Sequence, residues 1–182
     1  MLDCSRSIDL LPFRADADAI ARLRWALLST TRWDEFTERT ADPSSPHHGL
    51  SDIWARFAPR RTLAAGSQPC EWYPSAYELD GLIEIVDNLM VRLRGVELGG
   101  VLVTRIPAGA ECRPHVDGGW HAARFEKFGV QVASAPGQRF CFDDAELETR
   151  PGDVFRFDNS RRHWVTNPTP HERVTMIVCI RR

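Results

Sequence analysis

Long apolar runs are missing from this 182-residue sequence. The longest, Met176 to Ile180, is far too short to span a bilayer. Charge of one sign is missing as well: 23 Lys and Arg stand against 25 Asp and Glu, a net charge of -2. No single-sign field therefore speaks for nucleic acid or an anionic membrane surface as partner. Paired cysteines are absent too. Cys4, Cys70, Cys112, Cys141 and Cys179 form no CxxC and no regular spacing, and the odd count suits reduced thiols rather than a disulfide framework. Asp3, Arg6 and Asp9 interrupt the start of the chain, which offers no secretory apolar stretch. The expected location is cytoplasmic. Internal repeats and low-complexity tracts are also lacking.

What is present is an ordinary globular composition, 43% hydrophobic and 26% charged, at a length that suits one domain over residues 1–182. Residues 1–98 read as a helical half with loops. Asp16 or Asp18 can cap a helix with the apolar stripe Ile20, Leu23, Leu27 and Leu28. A polar stretch from Thr37 to His48 reads as loop, and its His47-His48 pair as an exposed surface. Residues 51–57 alternate in the manner of an edge strand, which puts Trp54 and Arg56 on one face as candidate substrate contacts. Ser75 and Glu78 have capping-box spacing before one continuous helical face, Leu79 to Leu93, with Gly95 as the left-handed residue that ends it.

Beyond residue 99 the pattern changes to short strands broken by Pro and Gly turns. Several such strands at close spacing suggest a sandwich or barrel, not alternating strands and helices. Within this half lies Pro114-His115-Val116-Asp117. A His and an Asp two apart point to the same side of an extended chain. With His163, which follows another strand, they make two imidazoles and a carboxylate, a set that suits ferrous iron and leaves coordination positions open. Arg173, ten residues further on, opens the last apolar strand, where a guanidinium can grip a carboxylate through two parallel hydrogen bonds. Trp120 and His121 follow the motif closely enough to border a site built there.

These residues resemble the signature of the iron- and 2-oxoglutarate-dependent oxygenases, in particular the aspartyl/asparaginyl β-hydroxylase-like group. The resemblance rests on residues 105–109, 114–117, 125–132, 157–159, 163–167 and 172–173. It implies a mostly β fold with flanking helices, a double-stranded β-helix or jelly-roll barrel of cupin type, its core in residues 99–182. It implies Fe(II), 2-oxoglutarate and O2, with His115, Asp117 and His163 as iron ligands and Arg173 on the far carboxylate of the cosubstrate. Lys127 and Thr104 fall where the family places a basic residue and a hydroxyl near the cosubstrate; Gly129 stands where the family has a histidine. The expected reaction is hydroxylation of a C–H bond in an amino-acid-like substrate or an Asp/Asn side chain, so the partner is a small molecule or peptide side chain. A cupin-like barrel that binds a metal or ligand, or acts as an isomerase, is the alternative.

Overall fold

The computed structural model describes residues 7–59 and 69–182, so Cys4 lies outside the described residues. The elements are β1 (Ile8–Arg14), α1 (Ala17–Ser29), β2 (Ser51–Phe57), β3 (Glu71–Trp72), α2 (Pro74–Glu78) and α3 (Leu82–Leu93), then β4 (Glu97–Ile106), β5 (Glu111–His115), α4 (Gly119–Arg124), β6 (Glu126–Ala133), β7 (Arg139–Phe142), β8 (Glu146–Glu148), β9 (Asp153–Phe157), β10 (His163–Thr166) and β11 (Arg173–Arg181). A seven-stranded antiparallel sheet runs β1-β9-β6-β11-β4-β2-β3, and a four-stranded one runs β5-β10-β7-β8. This is the jelly-roll arrangement, with the two sheets face to face rather than closed into a full barrel.

Alternation along β4, β6, β9 and β11 gives the large sheet two buried faces. Val101, Val103, Phe128, Val130, Met176, Val178 and Ile180 point outward, where Leu23 of α1 and Leu82, Val86 and Leu89 of α3 cover them. The opposite face meets the small sheet in a second core that includes Ile106, Cys112, Phe140, Phe155, Phe157 and Val165. Functional side chains sit at the edge of this second core.

Several sequence expectations need correction. The first half is not simply helical: β1 forms the edge of the large sheet, and Pro12 is tolerated there because an edge strand can spare an N–H. β2 is one strand in from the opposite edge, since β3 pairs outside it. Leu28 is exposed rather than part of the α1 stripe, whereas Asp16 does cap that helix, accepting from the Ala19 N–H at 2.9 Å. The long helix is broken. Gly81, at φ 85°, separates α2 from α3, and a Cβ there would lie 2.3 Å from the Ala19 carbonyl oxygen. The close approach of α1 breaks the helix, a constraint invisible to local spacing. Ser75 makes no cap; its hydroxyl donates to the Trp54 carbonyl at 2.5 Å. Arg94, at φ 54°, is the left-handed residue that ends α3, and Gly95 is needed because a side chain would strike Met90 and Ile180. β8 and α4 went unread.

Leu89 is 1% exposed in the face that α3 lays on the sheet, whereas Val91 on the same helix is 78% exposed. Leu89→Ala should cost about 2–5 kcal/mol in urea unfolding, by lost transfer energy plus the cavity left behind. Val91→Ala should stay within about 0.5 kcal/mol.

Candidate metal centre and its cavity

Antiparallel pairing of β10 with β5 sets His163 opposite His115, their ring centroids 4.4 Å apart. Asp117 sits just past the end of β5, in the turn before α4, and its N–H donates to the Asn159 carbonyl at 3.1 Å. The Asn159 side chain then donates to the Ala122 carbonyl at 3.0 Å, so one buried residue ties the carboxylate turn to α4. Asp117 Oδ1 lies 3.7 Å from His115 Nε2, and Oδ2 lies 3.7 Å from His163 Nε2. The ligand atoms of the three residues all fall within 4.8 Å of one another.

Both imidazoles are aimed from behind. The Nδ1–H of His115 donates to the Arg113 carbonyl and that of His163 to the Arg161 carbonyl, each at 2.8 Å. That tautomer leaves Nε2 with its lone pair toward Asp117, as a metal ligand requires. Burial pushes both imidazoles below the ordinary histidine value, so they stay neutral at pH 7. At Asp117 burial works to raise the carboxyl, but the Lys127 ammonium outweighs it and holds it below the usual range. Two neutral imidazoles and an ionised carboxylate form a donor set that fits a divalent metal.

A cavity of about 90 Å³ opens beside the triad, enough for several water molecules. Lys127 and Thr104 line it. Lys127 Nζ donates to Asp117 Oδ2 at 2.5 Å. The Thr104 hydroxyl donates to Asp52 Oδ1 at 2.8 Å and accepts from Arg39 Nη2 at 3.1 Å. Arg173 is 1% exposed on the same strand face as Thr175 and Ile177, which reach the cavity; it lies two residues beyond Thr175 and does not line the cavity itself. Its Nη2 donates to Thr149 Oγ1 at 3.3 Å, while Nε and Nη1 are buried without a partner. Burial brings the guanidinium down to about 10, still charged at neutral pH. A buried cation with two unsatisfied donors fits a carboxylate.

Four residues expected near the site are not brought there. The Trp54 ring packs on Phe57 at 4.7 Å. Arg56 lies 5.2 Å over the Trp72 ring and donates to the Leu98 carbonyl. A register shift between Trp54 and Arg56 breaks the alternation on which their shared face depended. Trp120 stacks on Phe57, 6.2 Å away, and His121 accepts the Gly100 N–H at 2.9 Å while its ring packs on Phe57 and Phe125. His121 thus fastens α4 to β4, and burial lowers it to about 4.

Other residues enter unannounced. His47, expected on an exposed loop, lines the cavity with its ring edge-on to His115 and its Nδ1 3.1 Å from Cys112 Sγ. Arg39, from the same loop, pairs with the fully buried Asp52. Asn167 is buried and donates to the carbonyls of Ile106, Pro107 and His171, which fixes where β11 begins and so where Arg173 stands. Gly129 has a local reason as well. A Cβ there would come within 2.1 Å of the Phe155 ring, which fills the space a side chain would need.

His47, at about 2, joins His115, His121 and His163 as an imidazole held neutral by burial. Their folded values lie below the unfolded value of 6.5, so the unfolded chain binds more protons below that pH. The stability they contribute is complete above 6.5 and is lost as pH falls toward their folded values. The thermal midpoint of the metal-free protein should therefore drop measurably between pH 7 and pH 5. A flat profile across that window would show that these rings are not buried neutral.

Comparison with known proteins agrees with this geometry. The aspartyl/asparaginyl beta-hydroxylase family matches residues 26–182. No curated protein matches the chain in sequence. Among solved structures, an oxidoreductase of the 2OG-Fe(II) oxygenase family from Burkholderia pseudomallei aligns with a TM-score of 0.65 at 13% identity, over 96% of this chain and 84% of the other. A Trichoplax adhaerens prolyl hydroxylase in complex with a hypoxia inducible factor peptide aligns at 0.59 and 10% identity, over 96% and 83%. A Pseudomonas putida prolyl-4-hydroxylase aligns at 0.54 and 14% identity, over 98% and 94%. At these identities the structural matches speak for the fold.

Proposed function

Because the chain belongs to the aspartyl/asparaginyl β-hydroxylase family, we propose that it hydroxylates a C–H bond of an amino-acid-like substrate or an Asp/Asn side chain, with His115, Asp117 and His163 as the iron ligands. It is a 2-oxoglutarate-dependent hydroxylase, with Fe(II), 2-oxoglutarate and O2 as its cofactors. The bound iron supplies oxygen activation, coupled to loss of CO2 from the cosubstrate and release of succinate. One observation carries the assignment of residues: three metal-ligating side chains converge beside a buried guanidinium with two unpartnered nitrogens.

The chain's own residues then have distinct tasks. Nδ1–H bonds to backbone carbonyls hold both imidazole rings in the ligating orientation. Arg173 binds the far carboxylate of 2-oxoglutarate, a group that its unpartnered guanidinium donors can hold. Thr175 and Ile177 lead from that guanidinium toward the metal side of the cavity. Thr104 contributes an acceptor rather than a donor, because its proton is already given to Asp52. Phe140, Phe157 and Ile177 keep the reacting end apolar and exclude water. A binding barrel without oxygenase chemistry has no use for an unsatisfied cation at the start of β11, which disfavours the cupin-like alternative.

Arg39 and His47 line the cavity together with Leu102, which supports a substrate with a polar end. Cys70, Cys112, Cys141 and Cys179 are free, which suits a reducing compartment and a cytosolic location. Among the described residues, no helix is long and apolar enough to cross a membrane.

A titration of the anaerobic Fe(II) protein with 2-oxoglutarate, read by its metal-to-ligand charge-transfer band, tests this reading. Arg173→Ala should raise the dissociation constant by about 30-fold to several thousand-fold, the loss of one partner from a desolvated charged pair. Arg173→Lys should also bind poorly, because an ammonium cannot reproduce the planar fork. Iron loading should stay intact in both. Unchanged cosubstrate affinity in Arg173→Ala would remove the cosubstrate role.

A further inference from the structure

Two cations line the cavity among the described residues, Arg39 and Lys127, and they are not equivalent. Arg39 has a permanent partner in Asp52, a carboxylate outside the triad. Lys127 has as its partner Asp117, whose two oxygens face His115 and His163. The inner position of β6 that Lys127 occupies is flanked by Phe157 on β9 and Cys179 on β11, neither of which offers an acidic group. A metal ion taken by Asp117 therefore arrives next to an ammonium whose two strand neighbours offer no second carboxylate.

We propose that Lys127 couples the metal to the cosubstrate, serving as counter-ion to Asp117 in the metal-free protein and to the anionic cosubstrate once a metal is bound. The inference rests on the oxygenase reading above. The physical reason is like-charge repulsion at short range in a site with little water to screen it. Pairing with Lys127 stabilises the metal-free carboxylate, and the same charge repels the incoming divalent ion, so both effects weaken metal binding. A four-carbon stem lets the ammonium swing away without disturbing β6. The incoming 2-oxoglutarate carries the negative charge that Lys127 then lacks. Each ligand thus relieves the other's cost, and the coupling is reciprocal by linkage. Lys127 acts as a positioning residue here, through Asp117 and through charge.

The experiment is a Mn²⁺ titration of the full metal-free chain, followed by electron paramagnetic resonance, with and without 2-oxoglutarate. Lys127→Met should bind Mn²⁺ at least about tenfold more tightly than wild type in the absence of cosubstrate. The factor by which 2-oxoglutarate improves Mn²⁺ affinity should shrink in Lys127→Met by a similar amount. Lys127→Arg, which keeps the charge, should behave as wild type in both respects. Lys127→Gln provides the same comparison if the Met variant folds poorly. Weaker or unchanged Mn²⁺ binding in the neutral variants overturns the coupling, as does an undiminished 2-oxoglutarate effect. If the Fe(II) protein gives no charge-transfer band with 2-oxoglutarate, the oxygenase reading falls and this inference with it. A normal band together with unchanged Mn²⁺ affinity in Lys127→Met overturns the coupling alone.

Discussion

The antiparallel register between β5 and β10 is the constraint on which the site depends. It sets His163 against His115 across the small sheet. A slip of one residue would turn His163 away from the cavity, because side chains alternate faces along a strand. The register is held from both sides. β7 pairs with the other edge of β10, and Asn167, at the end of β10, is tied to the carbonyls that finish β4. Asp117 is held beside the two imidazoles by Asn159, whose carbonyl accepts its backbone N–H. The candidate ligand set is thus assembled by backbone hydrogen bonding first and by side chains second.

The other end of the site is built on a different principle. Gln131 accepts from the hydroxyls of Thr149 and Thr175, and its amide donates to the carbonyls of Ala133 and Val174. This buried network holds Thr149 against Arg173, and it leaves the guanidinium charged but incompletely satisfied. An unsatisfied buried donor costs free energy comparable to a lost hydrogen bond, so the fold carries a standing deficit at this point that a carboxylate removes.

Much of the chemistry was legible in the sequence because it is written in short spacings. The two-residue step from His115 to Asp117 lies on and just past one strand, where local geometry settles which way a side chain points, whereas His163 and Arg173 stand on strands of different sheets. Lys127 and Thr104 came only from the resemblance to the oxygenase family, at the positions of its basic residue and its hydroxyl. Arg39 and His47 were not legible, since they sit on a loop that no periodicity governs, held at the cavity by the Arg39–Asp52 pair and by Arg113 bonding to the Pro43 and Pro46 carbonyls. Trp54 and Arg56 misled because a bulge in β2 upsets the alternation that a strand otherwise obeys. The break at Gly81 escaped notice because its cause is the backbone of another helix. Local pattern fails where a distant element sets the geometry.

The division of the interior into two cores has a bearing on how such a protein can change over time. Helices α1 and α3 cover only the outer face of the large sheet, and the cavity opens from the inner one. Substitutions that reshape the wall around Leu102, Phe140 or Val165 leave the helix-backed layer intact, and that layer can absorb their cost because sites without shared partners act nearly independently. The scaffold therefore acts as a reserve against which new substrate preferences can be tried, while the metal-ligating register stays fixed.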